Sequence, residues 1–221
     1  MRPAAGINPM SNPPNLATQA YLAIEERIVT LVLEPGSLIS ERSLIDMIGL
    51  GRTPVREAMQ RLSWEGLIEV RPRAGIKIAD IRAEDCAKVT ELRQVLEPRL
   101  ARSAARFATP NLLDDIQQYR QMMLDSLPDQ DASLYLKADK GFDEALMGAA
   151  ENPYLTNILA PLQTHSRRFW FRYFSRDSME RLAQGHIAVM DAVLARDDLR
   201  AFQQMETLMG VVAIHAQALK D

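Results

Sequence analysis

The spacing of apolar residues predicts two helices near the start of the chain. Apolar positions recur at helical intervals from Ala17 to Leu33, and the Glu34-Pro35-Gly36 sequence that follows cannot continue a helix. One broad face of this first helix is predicted to carry Tyr21, Leu22, Ile24, Ile28 and Val32. A second, shorter helix is predicted to begin after Ser40, a good N-cap residue. Its inward residues are Leu44, Met47 and Ile48.

A third helix is predicted directly after the tight turn Gly49-Leu50-Gly51. Thr53 is its expected N-cap, and Pro54 suits a first turn, where no helical hydrogen bond is lost. Its inward face and the residue that follows it are predicted to contribute Val55, Met59, Leu62 and Leu67 to a core.

Two short strands follow the third helix. Residues 67–70 and 75–78 alternate between apolar and polar side chains on either side of Arg71-Pro72-Arg73-Ala74. We call this predicted hairpin, residues 67–78, the wing. Three helices followed by a hairpin predict a winged helix-turn-helix.

The rest of the chain shows only helical patterns. Short connections between helices force antiparallel neighbours, so we expect a helical bundle, with kinks at Pro98 and Pro161. The predicted helices span residues 84–107, 110–126, 132–150, 153–174, 178–196 and 198–219. The expected fold is therefore mainly α: an N-terminal winged helix-turn-helix and a C-terminal antiparallel all-α bundle. The predicted boundaries are a flexible arm over 1–16, the winged domain over 17–80 and the helical domain over 81–221.

Composition and charge indicate the cellular location of the protein. The 221 residues carry a formal charge of −3, contain no run of about 18 apolar residues and begin without the apolar core of a signal peptide. A lone cysteine, Cys86, cannot form an intrachain disulfide. We therefore expect a cytoplasmic protein with no membrane partner.

Arginines at the start of the third helix and along the wing are candidates for contacting double-stranded DNA. A helix that enters the major groove presents its first turn to phosphates and base edges, and a basic hairpin reaches the backbone or a minor groove. Between residues 52 and 77, six Lys or Arg face three Glu, whereas eight basic side chains face nine acidic ones between residues 17 and 80. Charge alone is therefore compatible with ordinary solvated arginines. The topology and the placement of the arginines favour DNA.

The stretch from Pro35 to Ile78 resembles the N-terminal domain of the GntR family of bacterial transcription factors. Residues 85–105, DCAKVTELRQVLEPRLARSAA, resemble the start of the FCD-type effector domain of its FadR subfamily. The resemblance implies that Arg42, Arg52 and Arg56 contact DNA and that Gly75 forms the tip of the wing. To these we add Thr53, Arg71 and Arg73 as candidate DNA-binding residues. Gly51 departs from the family, which usually has Ser or Thr at that position.

Four side chains of the helical region are candidate metal ligands. Asp139 and Asp143 are four residues apart and share a helix face, and His186 and His215 lie in later helices. Spacing alone favours unrelated surface or core residues, because the four form no tight chelating motif. Their pattern resembles the metal site of FadR-type domains, which implies a divalent transition metal, zinc or nickel above all. Asp143 stands where that family has His, so the metal could differ, bind weakly or leave Asp143 in a supporting role.

Two other features of the helical region have competing interpretations. Arg93 either clamps the carboxylate of a small organic effector or pairs with Glu97, one turn later. The segment RRFWFRYFSR, residues 167–176, could contact a membrane surface or single-stranded nucleic acid. We favour a helix end whose aromatic residues are buried in a core, a subunit interface or an effector pocket while its arginines stay in water.

Together these features predict a ligand-responsive transcriptional regulator and not an enzyme. Such a protein acts as a homodimer on an inverted-repeat operator, because each winged domain reads one half-site. The resemblance implies a small carboxylate effector, with repression as the commoner outcome. The alternatives are a metal-dependent hydrolase-like enzyme that uses the Asp and His cluster, and a metal-free interaction bundle.

Overall fold

The computed structural model describes residues 14–173 and 176–218, without the side chains of residues 176 and 177. Within that part of the chain, 76% helix and a small three-stranded sheet confirm the predicted fold class. Two compact units are present. Of the described residues, one unit contains those up to Ile28 together with Leu33–Ala79, and the other contains Val29–Val32 and those from Asp80 onwards. Most of the arm predicted over residues 1–16 lies outside the described residues.

The first unit contains three helices. They are α1 (Leu16–Val29), α2 (Glu41–Ile48) and α3 (Arg52–Trp64). Their predicted inward residues form most of one apolar core, which includes Ile24, Ile28, Leu44, Val55 and Leu62. Met47 is an exception, because its side chain is exposed on α2.

The end of α1 differs from the prediction. The helix stops at Val29, and Leu31 adopts a left-handed conformation with a φ of 59°. The Leu33 N–H then donates to the Arg27 carbonyl at 2.9 Å, which satisfies an acceptor that the helix end would otherwise leave open. Val32 therefore lies beyond the helix and is exposed, so its predicted place on the inner face is wrong.

The junction between α2 and α3 follows local capping chemistry. The Ser40 hydroxyl accepts from the Ser43 N–H at 3.0 Å, as expected of an N-cap, and Gly49 ends α2 with a φ of 72°. The prediction that Thr53 caps α3 is wrong. The helix begins at Arg52, and its N-cap is Gly51, which has no side chain to cap with.

The sheet contains one more strand than predicted. β2 (Ile68–Arg71) and β3 (Gly75–Ile78) form the wing, and β1 (Leu38–Ile39) pairs antiparallel with β3, giving the order β1-β3-β2. A strand of two residues is too short to produce an alternating pattern, so sequence reasoning could not detect β1.

The second unit is a bundle whose helices lie within two residues of the predicted positions. The described helices are α4 (Ala83–Phe107), α5 (Pro110–Asp125), α6 (Ala132–Ala149), α7 (Pro153–Tyr173), α8 (Arg176–Leu194) and α9 (Asp198–Ala218). The predicted ends at residues 174 and 219 fall outside the described residues. Pro98 and Pro161 lie inside α4 and α7. Helix α4 packs against α6, α7, α8 and α9, which places side chains from all five around a common interior.

Candidate functional site

The start of α3 presents arginines to solvent. The side chains of Arg52 and Arg56 are 70% and 58% exposed, and each directs its Nε towards Glu41 Oε1 of α2, at 3.6 and 2.9 Å. Exposed ion pairs of this kind contribute at most about 1 kcal/mol, so a phosphate or base can replace the carboxylate. Glu41 therefore orients the two guanidinium groups at the surface of the unit and leaves them available to contact a phosphate or base.

The remaining candidate DNA contacts also lie on the surface of this unit. Arg42 is 92% exposed, and its Nε lies 3.9 Å from Asp46. Thr53 is exposed at the start of α3. In the wing, Arg71 pairs with Glu69 at 2.9 Å, and Arg73 is exposed in the turn with a φ of 66°.

Gly75 fixes the close approach of the wing to β1. Its φ is 106°, and a Cβ at this position would lie 2.8 Å from the Ile39 carbonyl oxygen. Glycine is therefore required by both conformation and space.

One basic residue of α3, Arg61, stabilises the fold of the winged unit. The Arg61 guanidinium lies 3.6 Å from the centroid of the Tyr21 ring, and its Nε donates to Glu65 at 2.9 Å. The Tyr21 hydroxyl donates to the same carboxylate at 2.8 Å. The spacing of Arg61 and Glu65, one helical turn apart, was the only signal of this role in the sequence.

The helical unit contains a partly open cavity of about 100 Å³ between α4, α6, α7, α8 and α9. Its charged and titratable lining residues are Arg93, Asp139, Arg167, His186 and His215, with Cys86 and several aromatic residues between them. The wall thus combines two guanidinium groups and two imidazoles with a single carboxylate. Although Arg93 and Arg167 also pair with the buried carboxylates of Glu97 and Asp143, guanidinium groups on the wall can bind an anionic occupant.

Asp139 and Asp143 both face a side chain that sequence reasoning did not include. The Nη1 of Arg167, on α7, lies 2.7 Å from Asp143 Oδ2 and 3.6 Å from Asp139 Oδ2. His186 Nε2 lies 3.0 Å from Asp139 Oδ1, and His186 Nδ1 lies 2.8 Å from the Leu182 carbonyl oxygen. Because both neighbours of the imidazole are acceptors, both ring nitrogens donate and the ring is protonated.

The two interpretations of Arg93 are compatible. Its Nε donates to Glu97 Oε1 at 2.9 Å and its Nη1 donates to Ser166, while the residue also lines the cavity. Gln163 donates from Nε2 to the same Glu97 oxygen at 3.1 Å. The predicted pair with Glu97 therefore holds Arg93 at the cavity wall.

The aromatic and arginine-rich end of α7 is partly as expected. Phe169 is buried, and Trp170 stacks on Tyr135 with a centroid distance of 4.6 Å. Phe169 and Trp170 both line the cavity. The expectation that the arginines stay in water is wrong for Arg167 and Arg168, which are both buried. Burial lowers the pKa of Arg168 to about 10, and the charge of Asp80 opposes this shift. Phe174 and the side chain of Arg176 lie outside the described residues.

The carboxyl groups of α6 have opposite pKa shifts. Burial raises the pKa of Asp143 to about 8, and the negative charge of Asp139 adds to this shift. Burial acts in the same direction on Asp139, but the hydrogen bond and charge of His186 outweigh it and lower the pKa to about 2. Burial would lower the pKa of His186, yet its hydrogen bond to Asp139 raises it above the usual value. The cluster thus holds a proton on His186.

Two family models match the chain in these same regions. Residues 16–78 match the gntR family of bacterial regulatory proteins, and residues 88–210 match the FCD domain, which alone covers more than half of the sequence. The chain belongs to the GntR family of transcriptional regulators and carries an FCD domain.

Known GntR-family proteins share both sequence and fold with this regulator. The transcriptional repressor RspR of Escherichia coli K12 is 26% identical over 182 residues, which cover 81% of this chain and 79% of RspR. The gluconate operon repressor of Bacillus subtilis is 24% identical over 185 residues, covering 81% and 76% of the two chains. The solved structure of E. coli McbR/YncC has a TM-score of 0.79 at 16% identity, over 95% of this chain and 100% of its own. Residues 14–173 and 176–218 of the regulator include no helix that is long and apolar enough to cross a membrane.

The predicted metal ligands are only partly brought together. Asp139 and His186 are in contact, Arg167 lies beside both aspartates, and His215 lines the cavity with its Nδ1 3.1 Å from the Val211 carbonyl oxygen. Among the described residues, no group of three or more His, Cys, Asp or Glu side chains is placed to hold a metal ion. Zinc requires unshared electron pairs on three or four protein ligands. As arranged, these residues do not fit a divalent metal. The presence of zinc or nickel in the protein remains an untested prediction.

The raised pKa values of Asp143 and His186 predict that the helical unit loses stability as the pH rises. A group with a raised pKa in the folded state stabilises the fold below its unfolded pKa, and this contribution disappears as the pH passes the folded pKa. For Asp143 the interval runs from 3.8 to about 8. We expect the melting temperature to fall by roughly 10 °C between about pH 5 and about pH 8.

Asp143→Asn removes the titrating group and should flatten this dependence. Thermal unfolding of both proteins in matched buffers measures the slope. Arg120 pairs with the half-exposed Asp191 at 2.6 Å on the same unit, so Asp191→Asn is the matched control and should keep the wild-type slope. Equal slopes for wild type and Asp143→Asn would contradict the assignment.

Proposed function

We propose that this GntR-family protein is a repressor that binds an inverted-repeat operator as a homodimer and responds to a small carboxylic acid in its helical domain. The observation that carries the ligand assignment is the cavity, whose wall presents two guanidinium and two imidazole groups against one carboxylate. Relatives named as repressors support the direction of regulation. A two-fold dimer would match an inverted-repeat operator, because each winged unit would then meet one half-site.

The size of the cavity limits the ligand. At about 100 Å³ it is smaller than the ~150 Å³ engineered cavity that holds benzene. A ligand of roughly six non-hydrogen atoms or fewer fits this space. A short-chain carboxylate is of this size.

Gln163 narrows the ligand class further. Its side chain is buried, its Nε2 donates to Glu97, and its Oε1 has no donor among the described residues. A buried acceptor of this kind is costly unless a donor reaches it. Since Gln163 lines the cavity, a ligand hydroxyl supplies the missing donor while the ligand carboxylate pairs with Arg93. We therefore propose a small hydroxycarboxylate.

Catalysis is not part of this proposal. Both nitrogens of His186 donate hydrogen bonds, and Asp139 accepts from His186 and faces Arg167, so neither group is placed to act as a base on a bound molecule. A ligand alters operator affinity only to the extent that it prefers one arrangement of the DNA-binding units. The hydrolase alternative would require one of these groups to change partners.

Replacing Arg93 tests the ligand assignment. Arg93→Gln removes a charge-assisted hydrogen bond worth about 1.5–3 kcal/mol, so affinity for the ligand should fall by about tenfold or more. Isothermal titration with glycolate and lactate, compared with acetate and propionate, measures both affinity and the contribution of the hydroxyl.

Glu97→Gln is the matched control. It breaks the same buried ion pair but leaves the guanidinium on the cavity wall, so ligand affinity should stay within a few-fold of wild type. Equal losses in the two variants would return Arg93 to a structural role. Equal binding of each hydroxy acid and its deoxy partner would contradict the role of Gln163.

A further inference from the structure

The Arg167 guanidinium lies against both carboxylates of α6. Its Nη1 is 2.7 Å from Asp143 Oδ2 and 3.6 Å from Asp139 Oδ2, and its Nη2 lies 3.3 Å from the Thr164 hydroxyl. Arg167, Asp139 and Asp143 are all buried. A buried arginine with two carboxylates at this range is a built ion-pair network, because burying any of these charges alone would be strongly unfavourable.

The same carboxylates are the oxygen donors that a metal would need. Two carboxylates one turn apart on a helix, with imidazoles on neighbouring helices, form a donor set suited to a divalent transition metal. In this chain the positive charge that such a set requires is already present as a guanidinium. A divalent ion at the same place would have to displace Arg167 from Asp143 and would then lie next to a buried cation.

The hydrogen bonds of His186 also disfavour a metal at this position. A histidine that binds a metal offers the unshared pair of one ring nitrogen, whereas both ring nitrogens of His186 face acceptors, Leu182 O at 2.8 Å and Asp139 Oδ1 at 3.0 Å. Neither ring nitrogen of the imidazole therefore faces an open coordination position. Together with Arg167, His186 contacts the carboxylates of Asp139 and Asp143 from within the protein.

We propose that Arg167 is the resident cation of the cavity in place of a divalent metal, so that this FCD domain binds its ligand without one. The inference concerns the cavity named in the proposed function and adds how its acidic pair is neutralised. It identifies Arg167 as a residue that determines the chemistry of the site, and it predicts that the charge at position 167 decides whether metal binds.

Metal binding to the full-length protein tests this directly and needs no ligand. Purified wild type, prepared without chelators, should contain substoichiometric zinc and nickel by elemental analysis. Its melting temperature should not change when EDTA, ZnCl₂ or NiCl₂ is added. One equivalent of either metal per chain, lost in Asp139→Ala or His186→Ala, would overturn the proposal.

Removing the guanidinium should create the missing site. In the double variant Arg167→Ala with Asp143→His, one imidazole replaces a carboxylate and the cation is gone, so titration with ZnCl₂ or NiCl₂ should show stoichiometric binding and a raised melting temperature. Arg167→Lys with Asp143→His keeps a positive charge at position 167 and should bind no more metal than wild type. Failure of a folded double variant to bind metal, or equal binding by the lysine version, would overturn the role of Arg167.

The result is independent of the proposed function. Metal content, melting temperature and titration with metal salts require neither an operator nor an effector. If the hydroxycarboxylate is wrong, these measurements still decide the role of Arg167. If Arg167 is wrong, the titrations with Arg93→Gln still decide the ligand.

Discussion

Arg56→Ala should reduce operator affinity by about 30-fold to 10⁴-fold. An arginine that contacts a base edge or phosphate contributes about 1–3 kcal/mol, and a symmetric dimer loses that contribution in both half-sites. Arg56 is 58% exposed and pairs with the carboxylate of Glu41 at the surface, so removing its side chain opens no cavity in the fold. Arg52→Ala should act in the same direction.

A duplex selected from a random pool by the wild-type protein is a suitable probe, and fluorescence anisotropy measures the affinity. The matched control is Arg61→Ala on the same helix. Arg61 lies over Tyr21 and pairs with Glu65, so its loss should lower the melting temperature and leave the affinity of the folded protein within a few-fold of wild type. If Arg56→Ala and Arg61→Ala bind the selected duplex equally well, α3 is not the helix that reads DNA.

Operator affinity should fall by about a thousandfold or more between roughly 50 and 200 mM monovalent salt. A dimer that makes about 6–10 phosphate contacts releases a similar number of counterions, which gives a steep linear dependence of log affinity on log salt. The regulator has a formal charge of −3, so this dependence arises from local groups such as Arg52 on α3 and Arg71 on the wing, and not from overall attraction to a polyanion.

The salt dependence of alanine variants measures how much each basic residue contributes to the slope. Each phosphate contact that is removed lowers the slope by about one, and therefore by about two in a dimer. Arg71→Ala should show this reduction with little change in sequence preference. Arg27→Ala is a control, because the Arg27 Nη1 donates to its own helix at the Ala23 carbonyl, 2.7 Å away, and its loss should leave the slope unchanged. A slope near zero for wild type would contradict the proposed binding mode.

The helices and their order could be predicted because local signals encode them. Apolar periodicity, the Ser40 cap and the Gly49 turn act over a few residues, and the helices of the bundle lie within two residues of their predicted positions. The misplaced cap at Thr53 and the early end of α1 are errors of the same short range. They arise because several neighbouring residues can end or begin a helix at similar free energy.

Local sequence signals could not predict several of the pairs between charged side chains, because the partners lie on different helices. Asp139 and Asp143 share a helix face by spacing alone, but Arg167 reaches them from another helix and His186 from a third. Arg52 and Arg56 likewise meet Glu41 across the turn between α2 and α3.

The sequence by itself therefore determined the winged helix-turn-helix, the helical bundle and the surface position of the arginines that we propose bind DNA, because periodicity and caps depend on neighbours along the chain. Only the tertiary structure decided that Arg167 is buried and lies against the carboxylates of Asp139 and Asp143. The physical reason is that the rotation and packing of α6, α7 and α8 determine which charges share a buried space. In that space each charge must find a partner of opposite sign.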